Sequence, residues 1–148
     1  MNSVLDIIYK QVKVHSDRSA LHYLNQQEYI PITFHQMALS AERFAAYLSS
    51  VTSESSNIVI WANNCWQWAV SDLGIQLNGA VSVPIYPTAG KDQLEFILND
   101  AKPSIVIVDH LTSDRLDLLS SFNFIQKIIV FGFWAVRILL GLFFPKHA

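Results

Sequence analysis

The side chains that could do chemistry are few and scattered. Asp109 and His110 sit together directly after an apolar run, Ser104–Val108, and strand exits are where α/β sheets gather their active sites. A capping or turn role is nonetheless the default reading for that pair. The histidines His15, His22, His35, His110 and His147 show neither an H-x-x-x-H spacing nor a His–Cys pair, so no metal site is expected. Cys65 is the only cysteine, which excludes an internal disulfide framework and a Cys-rich zinc site. It reads as a small packed residue at a helix start, a position that lowers a thiol pKa. No serine or cysteine lies in a G-x-S-x-G elbow.

Phosphate-binding loops are equally absent. Gly74, Gly79, Gly90, Gly132 and Gly141 never form G-x-G-x-x-G. A Walker loop ending at Gly90-Lys91 would need a glycine where Ile85 stands and a hydroxyl where Asp92 stands. Gly74 and Gly79 are read instead as allowing close helix–sheet packing and a helix-to-strand turn. Trp61, Trp66 and Trp68 could line a ligand, but Trp66 lies on an apolar stripe and reads as core; Trp68 falls off it.

These residues must be positioned by a chain of 148 residues, 51% hydrophobic and 15% charged, against roughly 25% charged in typical soluble domains. That size suits one domain with a proper core, and that composition excludes disorder. A net charge of -2 leaves no electrostatic footprint for nucleic acid. The N-terminus lacks the basic and apolar regions of a secretory signal.

Periodicity gives the elements. Val4, Leu5, Ile7, Ile8 and Val12 predict an amphipathic helix ending near His15, followed by a hairpin of Ser19–Leu24 and Glu28–Ile32 around Asn25-Gln26-Gln27. Thr33-Phe34-His35-Gln36 fits a capping box opening a helix with Phe34, Met37, Ala38, Ala41, Phe44, Ala45 and Leu48 on one stripe. A serine-rich loop, Ser49–Asn57, follows. Beyond it, short apolar runs alternate with amphipathic stretches. The expected strands are Ile58–Ala62, Ala80–Ile85 as a second buried strand ended by Pro84 and Pro87, Ser104–Val108 and Lys127–Phe131. Between them lie a helix capped by Asn64, one introduced by Thr88, and one over Thr112–Ser121. This is the pattern of βαβ units, so the fold class is α/β: an open, mostly parallel sheet with helices on both faces, preceded by a helix and a hairpin.

Residues 128–144 read IIVFGFWAVRILLGLFF. The run is at the lower edge for a membrane span, and Arg137 near its centre costs about 3 kcal/mol against roughly -5 kcal/mol from the apolar residues. If 128–131 serve as a strand, 133–144 would rise only ~18 Å as a helix, short of the ~30 Å hydrocarbon core. An exposed apolar terminus is expected, with membrane or protein contact through 132–144.

One ensemble of segments resembles a known family. Asn63-Asn64-Cys65-Trp66-Gln67-Trp68, the run Asp72–Thr88 with Pro84-Ile85-Tyr86-Pro87-Thr88 at its end, Gln93–Asp100 and Ile105–Val108 resemble the amino-terminal part of AMP-forming acyl-CoA synthetases, most of all the long-chain fatty acid–CoA ligase branch. The likeness covers residues 1–131, and 132–148 diverge as an apolar tail. The resemblance implies a cytoplasmic ligase that activates a fatty acid with ATP to an acyl-adenylate and passes the acyl group to CoA. In such enzymes the lysine-ended ATP loop, the adenine and ribose motifs and the mobile domain with its catalytic lysine lie further along the chain. No catalytic residue is therefore assigned. The carry-over is confined to Tyr86 and Thr88, whose loop lies near the CoA channel in relatives. ATP, Mg²⁺ and CoA belong to the full-length family, with no cofactor expected for these residues alone, and turnover by them alone is not expected. The rival readings are a non-catalytic interaction module and a tail-anchored membrane protein.

Overall fold

The computed structural model describes residues 3–53, 55–131 and 136–139. The chain divides into two compact units, Met1–Ser56 with Asn64–Ser82, and Asn57–Asn63 with Val83–Ala148.

The first unit opens with α1, Val4–His15, capped by Ser3, whose hydroxyl accepts from the Asp6 backbone while Asp6 answers the Ser3 N–H. The hairpin strands β1, Ser19–Asn25, and β2, Glu28–Thr33, pair antiparallel around a two-residue turn with Gln26 at a positive φ of 56°. Thr33 then caps α2, Phe34–Val51, through the expected capping box with Gln36. Of the expected stripe, Met37, Ala38, Ala41, Phe44 and Leu48 are buried, while Phe34 and Ala45 at its margins are half-buried. It packs in part on α3, Trp66–Leu77, where Ile32, Met37, Ala41, Val70 and Leu73 form a core with Leu5, Ile8 and Trp66 against it.

Two expectations change here. The cap of α3 is Cys65 rather than Asn64, in extended backbone and without a side-chain capping bond. Gly74 serves a helix–helix contact rather than helix–sheet packing: a Cβ there would stand 2.8 Å from Phe44 Cδ1 and 3.0 Å from the Ala41 carbonyl oxygen. Gly79 does make the helix-to-strand turn, with φ at 78°, where a side chain would be strained.

The second unit is built on an open sheet ordered β4-β3-β5-β6-β7. Its strands are β3, Asn57–Trp61, β4, Val81–Ile85, β5, Ile105–Val108, β6, Lys127–Phe131, and β7, Val136–Leu139. β3, β5 and β6 pair parallel in register, Ile58 with Ile105 and Ile105 with Lys127. All four residues of β5 are buried, as a strand covered on both faces must be. On one face Val59, Trp61, Val106, Val108 and Ile128 share a core with Leu94 and Leu98 of α4, Lys91–Ala101, and Leu119 of α5, Ser113–Ser120.

β4 departs from its expected burial. It is an edge strand, Val81 is half exposed and only Ile85 is buried. Pro84 suits that place, because a central strand would need the N–H that proline lacks. Thr88 does not open α4 either. Tyr86-Pro87-Thr88-Ala89 closes a turn in which the Ala89 N–H donates to the Tyr86 carbonyl at 3.0 Å, and the helix begins only after Gly90. Proline at the second position of such a turn has its φ already set.

Of the apolar tail, 136–139 form β7, antiparallel to β6. The rest of the expected contact segment, 132–135 and 140–144, lies outside the described residues. Among the described residues no helix is long and apolar enough to cross a membrane.

Candidate functional site

β3 and β5 end side by side, so the residues that follow them, Asn63 and Asp109, meet at the sheet's C-terminal edge. Asp109 is the centre of that meeting. Its Oδ2 accepts from the Asn63 backbone N–H at 2.9 Å and from the Asn63 side-chain amide. Its Oδ1 accepts from the His110 backbone N–H at 2.9 Å and from Arg115 Nη1 at 3.0 Å, and lies 2.7 Å from His110 Nδ1. Arg115 is carried by the first turn of α5, which Thr112 caps by accepting from the Arg115 N–H.

Arg115 is fixed on two sides. Nη1 also donates to the His110 carbonyl at 3.1 Å, and the guanidinium carbon lies 4.0 Å from the Trp61 ring centroid. Its side chain is only 13% exposed. Trp61 is buried, and among the described residues its Nε1 has no hydrogen-bond partner. Burial alone would raise the Asp109 pKa, but the donors from Asn63, Arg115 and His110 outweigh it and hold the carboxyl down at about 2. Asp109 is thus an ionised acceptor with its hydrogen-bonding capacity largely used.

That arrangement braces a sheet edge. Arg115 is spent on Asp109, on His110 and on Trp61, so it is not presented as a phosphate clamp. His110 keeps an exposed ring, with Nδ1 turned to Asp109. Of the residues singled out in the sequence, Asp109 and His110 come together with Asn63 and Trp61. Arg115 was missed, although its six-residue separation from Asp109 across a capped helix start was a signal that could have found it.

Tyr86 and Thr88 follow β4, the strand beside β3, and both are exposed. Among the described residues no hydrogen bond or ion pair joins their turn to the Asp109 cluster. Cys65 is exposed at the start of α3. Trp66 is a half-buried core residue whose ring lies 6.1 Å from that of Tyr23, and Trp68 is half-buried. Among the described residues no three His, Cys, Asp or Glu side chains are grouped to hold a metal ion.

Comparison with known proteins places this scaffold. Residues 8–131 match the AMP-binding enzyme family. A long-chain-fatty-acid–CoA ligase of Bacillus subtilis is 23% identical over 115 residues, 77% of this chain and 20% of the relative. Long-chain-fatty-acid–CoA ligase 5 of Rattus norvegicus is 31% identical over 86 residues, 56% of this chain and 13% of the relative. The chain thus spans a fifth or less of the length of these two curated relatives. Among solved structures, coronafacic acid ligase from Pectobacterium brasiliense superposes with a TM-score of 0.77 at 21% identity, over 86% of this chain and 25% of that one. The anthranilate CoA ligase AuaEII, in complex with anthranoyl-AMP, gives 0.73 at 21% identity, over 88% and 25%. At that identity the two structures establish the likeness of fold, while the sequence match over 8–131 establishes descent: the chain belongs to the AMP-binding enzyme family.

Proposed function

We propose that residues 1–131 are the amino-terminal scaffold of an adenylating, cytoplasmic acyl-CoA ligase whose substrates are a long-chain fatty acid, ATP and CoA, with 132–148 outside that scaffold. The observation that carries the reading is the family match over 8–131, supported by curated relatives named as long-chain-fatty-acid–CoA ligases. The reaction joins a carboxylate to the α-phosphate of ATP with loss of pyrophosphate, then transfers the acyl group to the CoA thiol with release of AMP. Its first step needs cations or backbone donors fixed on the polyphosphate and ligands for Mg²⁺. Here the ten Lys and Arg are dispersed along the sequence with no glycine-rich cradle, and Arg115 is held on Asp109. The 148 residues by themselves therefore position strands and turns without catalysing the step. The exposed Tyr86–Thr88 turn is the part that would border the CoA path.

Two assays test this. The purified 148-residue chain should release no pyrophosphate on addition of palmitate, ATP, Mg²⁺ and CoA; sustained release would refute the inactive-scaffold reading. A chimera carrying residues 8–131 in place of the matching segment of the Bacillus subtilis ligase should form palmitoyl-CoA. A soluble, folded chimera with no acyl-CoA product would count against the ligase assignment.

A further inference from the structure

We draw no further inference here: the strongest candidate, the Asp109, His110, Arg115 and Trp61 cluster at the C-terminal ends of β3 and β5, belongs to the site already described.

Discussion

Arg115 sits over Trp61 with its guanidinium carbon 4.0 Å from the ring centroid, while its Nη1 reaches Asp109 at 3.0 Å. One cation thus ties the first turn of α5 to the ends of both β3 and β5. Stacking on a largely desolvated indole contributes about 1–2 kcal/mol, and loss of one partner strands a partly buried carboxylate. Arg115→Met should lower unfolding free energy by about 2–3 kcal/mol in urea titrations. Arg115→Lys should recover less than half of that, because an ammonium lacks the planar fork that serves ring and carboxylate together. Equal stability of the lysine variant and the parent would show that the planar fork of the guanidinium contributes nothing.

Asp109 gives the acid limb of stability. Its folded pKa of about 2 is below the usual 3.8, so its contribution is complete above the unfolded value and is lost as pH falls from about 4 towards 2. Asp6 is also held down, by the Ser3 backbone N–H, so the useful measurement is a difference. Asp109→Asn should be less stable than the parent by about 2 kcal/mol at pH 6, and the gap should close by about pH 2. A gap that does not change with pH would mean that the carboxylate's charge is irrelevant and only its shape matters.

How much of this was legible beforehand depends on the range of the interaction. The Thr33–Gln36 box, the Met37-to-Leu48 stripe and the buried run Ile105–Val108 follow from residues within a turn or a strand of each other, and they stand where periodicity put them. Asn64 and Thr88 are good capping residues passed over in favour of Cys65 and Gly90, because the path of the chain between elements, fixed at Tyr86–Ala89 by a proline turn, sets where each helix can begin. β4 looked as buried as β5 because residue type does not reveal which strand ends up at an edge. For the site, Asp109 and His110 were visible as a pair, but the bond to Asn63, 46 positions away, was not.

The contact of α2 with α3 gives a packing test. A Cβ on Gly74 would lie 2.8 Å from Phe44 Cδ1 and 3.0 Å from the Ala41 carbonyl oxygen, which is backbone and cannot turn aside. The better helix propensity of alanine, worth about 1 kcal/mol, works in the opposite direction. Overpacking of this kind costs about 1–3 kcal/mol, so Gly74→Ala should be destabilising on balance by about 1 kcal/mol. The double variant Gly74→Ala with Phe44→Leu should be less destabilised than the sum of the two single changes, since the leucine gives back the space the methyl needs. Strict additivity in thermal unfolding would remove Phe44 as the cause.

At the other end of α4 the backbone itself is unfavourable. Lys102 closes the helix in the left-handed region, φ 44° and ψ 57°, with its N–H donating to the Leu98 carbonyl and Pro103 next in the chain. The cap geometry is the one glycine usually supplies, and proline just beyond it prevents the helix from continuing. A lysine there bears about 1–2 kcal/mol of steric cost. Glycine would remove that cost but give up roughly 0.5–1 kcal/mol through a freer unfolded chain. Lys102→Gly should therefore raise unfolding free energy by about 0.5–1 kcal/mol, while Lys102→Val, which adds a β-branch to the same dihedral angles, should lower it. The two variants moving in the same direction would show that the left-handed cap does not govern the helix end.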